Sequence, residues 1–252
     1  MIYALLILSV LAGMVAVLKL KLGEPRRVKL VTAFTGAYLM ALTCLHLLPE
    51  VFSGKTGNAA LSLGAFILLG FFLQVVLDNF SGGVEHGHSH HHHDSAPIAV
   101  MVGLCLHAFL EAMPLGHAHG SQLLAAIAVH KFPVSIVLFS MLLHNGNAKR
   151  RAYFCLLIFA VMAPIGAAIG SLPALEPYTP QLLAVVIGIF MHVATTILFE
   201  SSEDHHYNLQ KGAAIALGAG MSKRSRLYRG WTSDKKCSES EAGGRVDSRD
   251  HS

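Results

Sequence analysis

The sequence predicts an all-α polytopic transmembrane helical bundle of eight spans, the eighth of them short. Three observations predict it. Hydrophobic residues make up 53% of the 252 and charged residues only 13%, a membrane protein's balance. Apolar runs recur at close to the ~20 residues needed to cross a bilayer. Lys and Arg gather at alternate connections between those runs, as the positive-inside rule requires.

The net charge of +4 comes from those clusters and from the tail, so it reports topology rather than partners. No basic patch interleaved with aromatics points to nucleic acid. Cys44, Cys105, Cys155 and Cys237 are scattered without a CxxC pair, and three lie inside apolar runs. They read as small buried residues, not a disulfide framework.

Residues 1–18 form the first span. A cleaved signal peptide carries its positive charge before the apolar core, whereas here Lys19, Lys21, Arg26, Arg27 and Lys29 follow it. The segment is therefore expected to stay as a span with its N-terminus outside. The second span, 28–49, ends in His46-Leu-Leu-Pro49-Glu50, and the third, 60–80, closes near Asp78. The loop 82–95 carries His86, His88, His90, His91, His92 and His93 in the run HGHSHHHH. Such a tract cannot pack a core and reads as a metal-binding or flexible loop, here on the cytoplasmic side.

The fourth and fifth spans are 97–116 and 121–143. The basic knot Lys149-Arg150-Arg151 precedes the sixth, 152–172, which contains Pro164. The seventh, 179–200, carries His192. The turns 117–121 and 172–179 are poor in Lys and Arg and are expected outside. The eighth run, Leu209–Met221, has about 13 residues, short of the usual ~20, and the Lys223, Arg224, Arg226 and Arg229 that follow would lie outside if it spans. Residues 1–221 thus form one membrane domain, and 222–252 read as a polar, disordered tail.

The stretch His107–Pro133 carries the chemistry. His107 and Glu111 are four apart and share one helical face. His107 and His130 are equally distant from the turn centred at Ala118 and His119, each about 17 Å from it at helical rise. In a hydrocarbon layer of about 30 Å that level is the midplane, where ionisable groups are costly and mark function. Pro114 and Pro133 each lie three residues beyond one of these groups, and Pro164 lies in the sixth span. Each is expected to kink its helix and free a carbonyl. Two imidazoles and a carboxylate suit Zn²⁺, with Fe²⁺, Mn²⁺, Ni²⁺ and Cd²⁺ open. Lys131 falls at the same depth and needs an anion such as Glu111. A single intramembrane histidine such as His144 or His192 can equally be a hydrogen-bonded packing residue.

At these residues the chain resembles the ZIP family of divalent-metal transporters, over roughly residues 1–210. The histidine-rich loop between the third and fourth spans, HLLPE closing the second and APIGA at 163–167 carry the resemblance. So do His107-Ala-Phe-Leu-Glu111-Ala and His130-Lys-Phe-Pro133-Val-Ser, partial copies of the family's His-Asn-x-Pro-Glu-Gly motif. The resemblance implies Zn²⁺ uptake toward the cytosol, no permanent cofactor, no enzymatic activity, a homodimer and an elevator-like movement of the bundle that holds the fourth and fifth spans. It also implies that His46, Glu50, His192 and Lys131 are accessory to the metal at His107, Glu111 and His130. Family members with a binuclear centre place ligands where Ala108, Lys131, Val134 and Ala163 stand here. The expectation is one metal, with the Lys131 ammonium in place of the second. The 86–93 histidines, with His205 and His206, could receive or sense the ion in the cytosol. Short loops and small size suit a bacterial inner membrane.

Two other classes compete: an intramembrane zinc hydrolase, and a membrane-anchored sensor or store working through the histidine tract. No HExxH is present, and no spare general base stands beside the proposed metal.

Overall fold

The second apolar run shows how the chain builds its spans. Helix α2 (Pro25–Leu42) does not stop at its end but widens into a π-turn over Thr43–Leu47 and continues as α3 (Leu48–Phe52). Within the π-turn, the Leu48 N–H reaches back five residues to the Thr43 carbonyl. Pro49 explains the shift: it has no N–H, so the carbonyl four residues earlier loses its α-helical partner. The composite span Arg27–Phe52 thus reaches beyond the 28–49 expected, and its last turns are rotated by the inserted residue.

The computed structural model describes residues 2–20, 24–81, 97–117, 121–144, 149–202 and 212–221, and among them no strand occurs. The other helices are α1 (Ile2–Leu20), α4 (Gly57–Ser81), α5 (Pro97–Ala112), α6 (Ser121–His144), α7 (Lys149–Gly170) and α8 (Thr179–Ser202), with a short α9 (Gly212–Met221). Among the described residues seven helices are long and apolar enough to cross a membrane. The histidine tract 86–93, His205, His206, Cys237 and the tail 222–252 lie outside the described residues.

The prolines act differently from one another. Pro114 does not kink a continuing helix: α5 ends at Ala112 and tightens into a 3-10 turn over Met113–Gly116. Sixteen α residues and four 3-10 residues together rise about 32 Å, still enough to cross. Pro133 and Pro164 sit inside α6 and α7, which run through them. The basic knot Lys149-Arg150-Arg151 forms the first turn of α7 rather than a loop before it, with all three residues exposed. The described part of the eighth run, Gly212–Met221, is helical over ten residues, about 15 Å. It docks on α2 at Gly218, where any side chain would collide with the Phe34 carbonyl.

Two hydrophobic cores organise the bundle. One joins α2, α3, α4 and α8 to the first turns of α6 through Leu39, Val51, Leu63, Leu123, Ile127, Ile187 and Phe190. The other joins α1, α5, α6 and α7 through Val10, Leu104, Val137, Phe139, Leu156 and Phe159. Glycines set the closest approaches. Gly70 and Gly188 bring α4 and α8 backbone to backbone, Gly166 does the same for α7 against α5, and Gly170 for α7 against the 3-10 turn at Met113. Small residues replace the hydrophobic drive that lipid removes. The outward faces carry Leu8 and Leu18 on α1, Leu61, Leu68 and Phe72 on α4, and Phe154 and Leu157 on α7, all exposed. Such apolar exposure is what hydrocarbon would cover.

Candidate metal site

His107, Glu111 and His130 meet at the seam between the two cores. Helix α5 supplies the first two one turn apart, and α6 supplies the third. Each offers a ligand atom, and the three atoms lie within 4.8 Å of one another. All three side chains are buried, at 1%, 0% and 1% exposure, so the cluster faces the bundle and not lipid. His107 Nε2 stands 3.2 Å from Glu111 Oε2, close to the edge of a tetrahedron with bonds of about 2.0–2.1 Å, roughly 3.3 Å. The two imidazoles meet edge to face with centroids 5.7 Å apart.

Lys131 is buried at 2% exposure. Its Nζ lies 2.5 Å from Glu111 Oε1 and 4.9 Å from the centroid of the Phe159 ring. The carboxylate therefore divides its oxygens, one toward the ammonium and one toward His107. The anion that the sequence demanded for this lysine is Glu111, and the ring face of Phe159 adds a cation–π contact from α7.

Sequence reasoning missed Gln74. Fully buried on α4, its Oε1 lies 2.9 Å from His107 Nδ1. A lone amide amid FFLQVVL was the available signal, since an uncharged polar group inside an apolar span needs a partner.

The accessory residues scatter. His46, on the π-turn, is buried, and the Gln122 amide nitrogen donates to its Nδ1 at 3.0 Å. Glu50, one turn further, is exposed. His192 on α8 lies with its Nε2 3.7 Å from Asp78 Oδ2 and its ring edge-on to Phe71. None of these three joins the His107–Glu111–His130 cluster. Ala108, Val134 and Ala163, where the resemblance implies second-metal ligands, are packed into the cores at 0%, 1% and 0% exposure.

A family model described as ZIP Zinc transporter matches residues 88–222. The chain belongs to the ZIP zinc transporter family. It is 30% identical to the Zinc transporter ZIP9 of Micropogonias undulatus, an alignment covering 64% of this chain and 58% of the relative. The Zinc transporter ZIP9-B of Xenopus laevis is 28% identical over 62% of this chain and 58% of its own length. The Zinc transporter ZIP9 of Xenopus tropicalis is 29% identical over 53% and 50%. The chain thus spans little more than half the length of these curated relatives. They come from a fish and from frogs, so they lend nothing to the expectation of a bacterial inner membrane. Within the ZIP family match fall α5 to α9, which include both helices of the His107–Glu111–His130 cluster.

Proposed function

We propose that this ZIP chain carries a divalent cation, most readily Zn²⁺, across the membrane toward the cytosol through one site formed by His107, Glu111 and His130. One observation carries the reading. With Nδ1 of His107 donating to the Gln74 oxygen, its Nε2 presents a lone pair to a carboxylate oxygen 3.2 Å away. Two acceptors facing each other in a buried site repel, and a shared cation, proton or metal, turns repulsion into attraction. His130 supplies the next ligand on the same ion, and a fourth position stays open to water or exchange.

Charge favours passage over storage. Glu111 and Lys131 cancel, so with neutral imidazoles a bound dication leaves the site doubly positive. A net positive site in a low-dielectric interior holds its ion weakly, which suits release. Lys131 beside Glu111 supports the single-metal reading, because its ammonium stands where a second cation would neutralise the carboxylate. The route proposed from outside begins at Glu50 and His46. Toward the cytosol it passes Asp78 and His192 before the histidine tract. A homodimer, an N-terminus outside and a histidine tract that receives or senses metal belong to the same proposal and rest on the family and on the distribution of Lys and Arg.

Zn²⁺ uptake into liposomes containing the full chain tests it. His107→Ala and Glu111→Ala should abolish flux. A hydrolase would show no flux in any variant, and a sensor or store would tolerate His107→Ala but not loss of residues 86–93.

A further inference from the structure

Helix α4 contributes no ligand to the cluster, yet it touches the cluster through Gln74. Three features make that contact more than packing. Gln74 is fully buried inside a helix whose outward face carries Leu68, Phe72 and Val76 exposed, so an apolar side chain would be the ordinary occupant. Its oxygen takes the Nδ1 side of His107 at 2.9 Å, which leaves Nε2 as the only nitrogen turned toward Glu111. Its base is rigid as well: Gly70, one turn earlier, lies against the Val185 carbonyl of α8, and Gly188 lies against Ile67 and Phe71 of α4. The α4–α8 pair thus holds the amide at a fixed height.

We infer that Gln74 is a positioning residue for the transported cation, acting through His107: it fixes the tautomer and the ring plane so that Nε2 is always the ligating atom. Partners of this kind raise ligand basicity and orient the ring, and their loss typically weakens metal binding 10–100-fold. The inference rests on the metal reading of His107. It adds that a helix outside the ligand-bearing pair sets the affinity, because the amide reaches His107 from α4 while both ligand helices are α5 and α6.

The test compares Gln74→Leu, Gln74→Met and Gln74→Glu in the full chain, reconstituted in liposomes and assayed for Zn²⁺ uptake. Positioning and packing roles predict opposite orders. If Gln74 only fills space, Leu and Met suit an apolar span and leave uptake intact, while Glu buries a charge and impairs it. If Gln74 orients His107, Leu and Met raise KM at least about tenfold with a smaller change in kcat. Glu, still an acceptor for Nδ1–H, keeps a KM close to wild type, and the cost of its buried charge appears in the amount of assembled protein instead. Unchanged KM in Leu or Met overturns the inference, as does equal impairment by all three. His107→Ala run in parallel separates the two levels: intact uptake there would defeat the transport reading itself, whereas lost uptake there with unaffected Gln74→Leu would defeat only the positioning role. Met, unbranched and of similar length, keeps the comparison available should Leu fail to assemble.

Discussion

Lys131 Nζ sits 2.5 Å from Glu111 Oε1, and both side chains are essentially sealed from solvent. Neither residue is near the other in sequence: one is on α5, the other on α6, with the 113–120 connection between. On the proposed reading the pair decides what the metal meets on arrival, because the carboxylate that would bind a dication already balances a fixed cation.

Removing one member should therefore be worse than removing both. Lys131→Met leaves Glu111 buried without its counter-charge, a loss of about 3–5 kcal/mol for a broken buried pair. Lys131→Met combined with Glu111→Gln leaves no charge and recovers most of that stability. Thermal unfolding in detergent micelles should rank wild type and the double variant together, well above Lys131→Met. Zn²⁺ uptake should fail in the double variant all the same, since the ligand has gone. Equal melting of Lys131→Met and wild type would mean that the pair does not hold the folded protein together.

Metal stoichiometry probes the single-site reading. With Ala108, Val134 and Ala163 packed as apolar core and Lys131 against the only acid of the cluster, one Zn²⁺ per chain is expected once residues 86–93 are deleted. Equilibrium dialysis of that variant gives the count. Two ions per chain would contradict the role assigned to Lys131, and none would remove the intramembrane site.

How much of this was legible beforehand follows from what sequence encodes locally. The seven long spans were, because hydrophobic length and basic flanks are local signals. His107, Glu111 and His130 could be levelled by counting from one turn, because two helices joined by a short loop leave little freedom in depth. Three things were not legible. Gln74 is 33 residues from His107, and nothing local says that α4 turns its amide toward α5. The π-turn at Thr43–Leu47 depends on how a missing N–H at Pro49 is absorbed, and kinking or ending the helix were equal alternatives, as Pro114 shows by ending α5. Gln122 as partner of His46 bridges 76 positions and needed the packing of α6 against α2.

That last contact gives a further expectation. The Gln122 amide donates to His46 Nδ1 and so holds a buried imidazole in place within the α2–α3 span. Gln122→Leu removes the donor and leaves a buried acceptor, a loss of about 1–3 kcal/mol in local order. Because His46 lies outside the central cluster, uptake should retain its kcat and show a KM raised severalfold. An unchanged KM, measured in the same liposomes, would exclude His46 from the route.

Glycine at the α4–α8 seam links stability to the site. At Gly70 a methyl group would be driven into the Val185 carbonyl of α8, whereas at Gly64 nothing lies within 4 Å of the same position. Both are in α4, so helix propensity alone favours alanine at each by up to about 1 kcal/mol. Gly64→Ala should keep or slightly raise the melting temperature. Gly70→Ala must push the helices apart, and overpacking of this kind costs about 1–3 kcal/mol. Since Gln74 is one turn further along the same helix, that displacement should also move its oxygen away from His107 and raise the KM for Zn²⁺, while Gly64→Ala leaves it alone. Melting and uptake measured on the two variants check both halves. A Gly70→Ala protein that melts lower but transports with the wild-type KM would show that the seam holds the bundle without holding the ligand.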